Sequence, residues 1–272
     1  MAVMTKRVRS ADGTPIAVER TGKGPPVVFV DGAIAHRTIN PVMAQLAELL
    51  APQFTVLAYD RRGRGESGDT EPYAVEREIE DLDTVIAEAG GPAFVVGGSS
   101  GAVLALDAAA QGLEIGKLAL YEPPFIVDDT RPPLPDDYVA RLDEVVAAGR
   151  PGDAVELFMT AAMRVPDEFV APMKADDSWA ELEKVGHTIA YDGRIMGDTM
   201  SGKPLPADRW RGVAVPTLVI DGGESEPFMH NGADALAELL PAAQRRTPEG
   251  QTHEVDPQVL APVLVEFFGY DS

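Results

Sequence analysis

Five short apolar runs recur along the chain: "PPVVFV" (25–30), "FTVLAYD" (54–60), "AFVVG" (93–97), "GKLALYE" (116–122) and "VPTLVIDG" (215–222). Between and after them stand segments with helical spacing: "PVMAQLAELLA", "YAVEREIEDLDTVIAEAG" (closed by Gly90 and Gly91), "GAVLALDAAAQG", "NGADALAELL" and "PQVLAPVLVEFF". A strand that is apolar throughout has to be covered on both faces. The alternation therefore predicts an α/β fold, a mostly parallel sheet flanked by helices. "KRVRSADGTPIAVERTG" precedes it as two strands around an Ala-Asp-Gly turn, and "AQRRTPEG" is a weak last strand.

The alternation breaks once. Residues 125–210 hold no convincing strand, whereas "PDDYVARLDEVVAAG", "PGDAVELFMTAAMR" and "SWAELEKVGHTIAYDGRIM" all have helical spacing. The expected organisation is a core of residues 1–124 and 211–272 with an all-helical cap, 125–210, inserted between the sixth and seventh strands. The proline-rich "EPPFIVDDTRPPLPDD" (122–137) marks the boundary. Ligand sites in such sheets lie outside the carboxyl ends of the strands, where the insertion would roof them.

Composition narrows the chemistry. The 272 residues suffice for one large core or two small ones. There is no cysteine, which excludes disulfides, thiolate metal sites and cysteine nucleophiles. The formal charge of -21 repels phosphate backbones and anionic membranes, and its plainest reading is solubility. No stretch approaches the roughly 18 apolar residues of a membrane span, and "MAVMTKRVRSADG" has no secretory apolar region. These features predict a cytoplasmic monomer or homodimer acting on a small molecule, with no nucleic-acid or membrane partner.

"VVGGSSGAVLAL" (95–106) carries the chemistry. A strand that turns sharply into a helix holds one side chain at its apex, and the residues two before and two after must be small. Ser99 has Gly97 and Gly101 there; Ser100 has Gly98 and Ala102, so size alone does not separate them. Phase favours Ser99, because its glycine directly follows the apolar run and glycine tolerates strain better than alanine. The backbone N–H of Ser100 then stands at the helix start, aimed at a developing oxyanion. Without chemistry, the same stretch is a glycine- and serine-rich turn.

Together "VVFVDGA", "YDRRGRGESG", "VVGGSSGAVLAL", "VPTLVIDGG" and "EGQTHEVDPQVLAPVLVEFF" make nearly the whole chain resemble the α/β-hydrolase family. "DRRGRGESG" looks like that family's D-x-R-G-x-G-x-S loop. The resemblance implies the order Ser…acid…His. Of the four histidines (His36, His187, His230, His253), His253 in "EGQTHEV" stands at the family's base position. With no i, i+4 pair among them they make no metal site, and neither metal nor cofactor is expected.

The acid departs from the pattern. The family's aspartate after the seventh strand corresponds to Ser225, and a hydroxyl does not stabilise an imidazolium as a carboxylate does. Glu122, which ends the sixth strand before two prolines, is the favoured acid. Asp221, Glu224 and Glu226 are the alternatives. Certain haloalkane dehalogenases and the fungal zearalenone lactonases take a glutamate from this position, and the lactonases also resemble this chain in "DG", "SSGA" and Glu-x-Pro. The family's usual His-Gly is Asp31-Gly32 here. The second oxyanion donor is then the N–H of Ala33 or Gly32, and Asp31 is expected to face away in a local turn hydrogen bond. Trp179, Tyr191, Met163, Met196 and Met200 of the cap, with His36, are candidates to line the substrate pocket, although such spacing also serves ordinary helix packing.

The implied function is a serine hydrolase of ester or lactone bonds in a small apolar substrate, through an acyl-enzyme on a Ser99/His253/Glu122 triad. The competing reading is a non-hydrolytic binding protein, or a biosynthetic cyclase or lyase, on the same scaffold. Epoxide hydrolases and haloalkane dehalogenases are disfavoured because they need a carboxylate where Ser99 stands.

Overall fold

The computed structural model describes residues 4–269. Among them eight strands form one sheet: β1 (Met4–Arg9), β2 (Pro15–Gly22), β3 (Pro26–Val30), β4 (Thr55–Tyr59), β5 (Ala93–Gly98), β6 (Ile115–Tyr121), β7 (Thr217–Ile220) and β8 (Ala243–Arg246). Their spatial order is β1-β2-β4-β3-β5-β6-β7-β8. β2 runs antiparallel to β1 and β4, and every later pairing is parallel. The register places Val30 beside Gly97, Gly98 beside Tyr121, and Tyr121 beside Ile220. The carboxyl ends of β3, β5, β6 and β7 are thereby neighbours.

Before β6 the chain forms α1 (Pro41–Leu50), α2 (Val75–Ala89) and α3 (Ser100–Ala110). Between β6 and β7 it forms α4 (Tyr138–Ala147), α5 (Pro151–Leu157), α6 (Asp167–Met173), α7 (Trp179–Val185), α8 (Ile189–Met196) and α9 (Ala207–Trp210). After β7 come α10 (Pro227–Leu239) and α11 (Pro257–Phe268). The expected α/β sheet with helices inserted between the sixth and seventh strands is therefore present. α10 starts earlier than its apolar spacing indicates, because Pro227 suits the first helical position.

Both faces of the sheet are covered, as its apolar strands require. Val27 and Phe29 of β3 pack toward Leu46 and Leu50 of α1 and Leu260 and Leu264 of α11. The alternate residues Val28 and Val30 pack toward α2, α3 and α10. Each leucine fully buried in this way contributes about 1.5–3 kcal/mol. The inserted helices hold a cluster of their own, with Leu142, Val155, Met159, Trp179 and Ile189 at its centre. α5 continues into a π-helical turn, Phe158–Ala162, both ends of which line the cavity described next. No helix among the described residues is long and apolar enough to cross a membrane.

Candidate active site

A cavity of about 1150 Å³ opens at the carboxyl ends of the central strands, beneath the inserted helices. Among the described residues four non-glycine residues have positive φ, and three of them, Ile34, Ser99 and Glu122, line this cavity. Such backbone strain concentrates where geometry serves function.

Ser99 stands between β5 and α3 with φ 54° and ψ -126°. Its N–H donates to Tyr121 O at 2.9 Å, and its carbonyl accepts from Ala102 N at 3.0 Å, starting the helix. A Cβ at Gly97 would lie 2.6 Å from Ala102 Cα, and one at Gly101 would strike the Val30 and Asp31 carbonyls. Both glycines are thus required by close approach, and the residue between them is at the apex. Ser100 is not: its side chain is buried, and its Oγ donates to Asp192 Oδ1 at 2.7 Å.

His253 lies in the loop between β8 and α11. Two contacts hold that loop: Tyr121 Oη donates to Thr252 O at 2.5 Å, and Glu224 N donates to Gln251 O at 2.8 Å. His253 Nδ1 is 2.8 Å from Glu122 Oε2. Glu122 is buried, and its other oxygen accepts from Gly222 N at 2.7 Å and from the Ser225 hydroxyl. Burial pushes the Glu122 carboxyl upward. The hydrogen bonds from His253, Ser225 and Gly222 outweigh it and hold the group below the usual carboxylate range. Two of the other acids are engaged by other partners. Asp221 binds Arg245, Thr247 and His230, the last at 2.5 Å, and Glu226 pairs with Arg131. Glu224 lines the cavity. His187 lies 3.3 Å from Asp69. Ser99 and His253 face one cavity, but among the described residues the Ser99 hydroxyl forms no side-chain hydrogen bond, so the link between them is open in this structure.

The loop after β3 closes on Ser99. A Cβ at Gly32 would lie 3.0 Å from Ser99 Cβ and 3.6 Å from Ser99 Oγ, and Gly32 and Ala33 both line the cavity. Asp31 corrects the sequence reading. It lines the cavity and accepts from Asn40 Nδ2 at 2.8 Å, nine residues on, rather than closing a local turn. Asn40 is the residue that caps α1, accepting from Met43 N at 3.2 Å, so the helix start supplies the partner.

Three expected pocket residues are elsewhere. Trp179 packs inside the insertion's own core, with Nε1 donating to Glu183 at 3.1 Å. Tyr191 stacks on Tyr73 at 3.7 Å between centroids and donates to Asp69 at 2.9 Å. His36 is buried beside the Thr38 hydroxyl, 3.1 Å away. Met163, Met196 and Met200 do line the cavity, joined by Met43 and Met229. The sequence reading missed Asp192, which is buried and accepts from Arg61, Arg64 and Ser100. Its signal was present: a carboxylate on the same helix face as Ile189 and Met196 needs a buried partner.

Residues 27–263 match the model of the alpha/beta hydrolase family. A solved structure of an alpha/beta hydrolase from Sphaerobacter thermophilus DSM 20745 is 55% identical, with a TM-score of 0.88 over 97% of this chain and 100% of that one. An esterase from Exiguobacterium antarcticum is 21% identical, with a TM-score of 0.73 over 98% of this chain and 100% of its own, a likeness of fold alone. A 99-residue stretch is 35% identical to the uncharacterized hydrolase YraK of Bacillus subtilis (strain 168). That match spans 35% of this chain and 35% of the curated relative.

Proposed function

The chain belongs to the alpha/beta hydrolase family, and within it we propose a serine hydrolase that cleaves carboxylic ester or lactone bonds in an apolar small molecule. The observation that carries this reading is the His253–Glu122 pair, 2.8 Å apart, facing the same cavity as a serine at a strained apex. Ser99 Oγ attacks the substrate carbonyl carbon and gives its proton to His253 Nε2. Glu122, held in its charged form, orients the ring and stabilises the imidazolium. The N–H groups of Ser100 and of Ala33 or Gly32 receive the oxyanion. Collapse expels the alkoxide, which takes the proton from His253. Water then repeats the sequence on the acyl-enzyme, freeing the acid and Ser99.

The cavity wall favours an apolar substrate. Met43, Met163, Met196, Met200 and Met229 supply adaptable, polarizable surface, with Phe228 beside them. Residues 125–210 act as the cap over a core of 1–124 and 211–272. We place the enzyme in the cytoplasm, a compartment suited to a chain without cysteine.

A fluorophosphonate probe, followed by p-nitrophenyl ester and lactone panels, tests this. Ser99→Ala should abolish labelling and lower kcat on the order of 10³–10⁶-fold. Ser100→Ala should still label and cost far less than Ser99→Ala, because its backbone N–H remains. A dead Ser100→Ala beside an active Ser99→Ala would sink the reading.

A further inference from the structure

The loop after β3 is gripped from behind by two buried arginines. Arg64 Nη1 donates to Gly32 O at 2.5 Å, and Arg61 Nη1 donates to Asp31 O at 3.2 Å. A peptide is planar, with its C=O and N–H pointing in opposite directions. The guanidinium on Gly32 O therefore sets the aim of the Ala33 N–H on the far side of the same peptide. The one on Asp31 O does the same for the Gly32 N–H. A cationic donor on the carbonyl also polarises that N–H.

Both arginines converge on one carboxylate. Arg61 Nη1 reaches Asp192 Oδ1 at 2.7 Å, and Arg64 Nη2 reaches Oδ2 at 2.6 Å. The Ser100 hydroxyl donates to Oδ1 as well, at 2.7 Å, from the first turn of α3. Asp192 belongs to α8, an inserted helix, and is itself buried. We propose that Asp192 is a positioning residue for the oxyanion hole: through Arg61, Arg64 and Ser100 it sets the aim of the backbone N–H groups that hold the oxyanion. The proposal rests on the reading of Ser99 as nucleophile. It also gives the inserted helices a part in the chemistry, since the carboxylate that aligns the core's donors comes from them.

Burial disfavours charge on Asp192, but Arg64, Arg61 and the Ser100 hydrogen bond outweigh it and hold the carboxyl below its ordinary range. Glu78 takes the remaining face of Arg61, at 2.7 and 2.8 Å, so the two arginines face two carboxylates. This balance makes the sign of the effect informative. If only charge mattered, neutralising Asp192 would leave the site more positive, favour the oxyanion and raise kcat. If aim matters, kcat falls.

The test compares the unaltered protein with Asp192→Asn and Arg64→Lys on one p-nitrophenyl ester, and measures inhibition by a trifluoromethyl ketone of the same acyl group. Lysine keeps the charge of Arg64 but not the planar fork that spans Gly32 O and Asp192. Outright loss of an oxyanion donor lowers kcat about 10²–10³-fold, so misaimed donors should lower it about 10–100-fold. KM should change less than about threefold, and the inhibition constant should rise in step with the fall in kcat, because the ketone's adduct occupies the same hole. Folded variants whose kcat rises or stays within twofold of the parent, or whose loss lies in KM alone, overturn the proposal. Should Asp192→Asn fail to fold by circular dichroism, Arg64→Lys carries the test. Failure of both to fold also overturns it, making Asp192 a fold-stabilising charge. Fluorophosphonate labelling of Ser99 in the unaltered protein tests the underlying reading separately. If Ser99 labels while the variants keep full kcat, only the positioning role falls.

Discussion

Asp31 stands in an environment that opposes its charge. It is buried at the end of β3 with one side-chain hydrogen bond, from Asn40. Burial pushes its carboxyl up to about 6, against the opposing pull of Asn40, Arg64 and Arg61, and with Asp60 adding to the rise. The folded state therefore holds this proton more tightly than the unfolded chain does. Stability is lost as the pH climbs from about 4 to about 6, where the buried group is forced to ionise, and the loss is constant above that. Asp31→Asn keeps an oxygen for Asn40 and removes the charge. At about pH 8 it should be more stable than the parent by about 1–3 kcal/mol, since a tenfold difference in proton affinity between the two states is worth about 1.4 kcal/mol. The gap should close as the pH falls to about 4. Urea denaturation across that range reads it, and a pH-independent difference would refute the assignment. Asp31 also marks a limit of sequence reading at this scale. An aspartate before a glycine suggests a local turn, whereas its true partner depends on where α1 begins, which neighbouring residues alone do not fix.

At the scale of elements, the ends of two adjacent strands meet at the position of the proposed acid. Glu122 directly follows β6 and Ser225 lies in the loop after β7, and Tyr121 and Ile220, the last residues of the two strands, are register partners. The Ser225 hydroxyl donates directly to the Glu122 carboxylate, so the two positions meet at one hydrogen bond. Glu122→Gln should lower kcat on the order of 10²–10⁴-fold, as when a triad carboxylate becomes an amide. Adding Ser225→Asp should restore at least about tenfold of that loss, because a carboxylate then stands beside the vacated charge. Full activity in Glu122→Gln, or no recovery in the double variant once circular dichroism shows it folded, counts against the shared acid position. The strands and the elbow were legible because apolar runs and small-residue spacing are local. The inserted helices were legible as helices but not in their facing. Trp179 and Met196 both lie on apolar helix faces, yet one meets its own helical neighbours and the other the cavity. Periodicity marks a buried side without saying what buries it. The Arg61–Asp192 contact joins residues 131 apart in sequence, and no local pattern announces it.

The whole molecule carries a formal charge of -21, and its cavity is lined in the same sense. Asp136, Asp198, Glu224 and Glu254 stand around the apolar wall, against the cations Arg131 and Lys203, and Arg131 is already paired with Glu226. A field of one sign in a cleft with low-dielectric walls changes encounter rates by about 10–10³-fold. It should therefore select substrates before any contact with Ser99. The expectation is tested with two p-nitrophenyl esters of matched length, one neutral and one ending in a free carboxylate. At about 0.01 M salt, where charges act over roughly 30 Å, kcat/KM for the anionic ester should be at least about tenfold lower. At about 1 M salt the screening length is near 3 Å, and the gap should narrow several-fold. Because the effect acts on approach, it should fall on kcat/KM more than on kcat at saturation. Equal kcat/KM for the two esters at low salt would show that local cations at the cavity override the molecule's overall charge. A gap that persists unchanged at high salt would instead locate the discrimination in the apolar methionine wall, where exclusion of a carboxylate is a matter of desolvation rather than field.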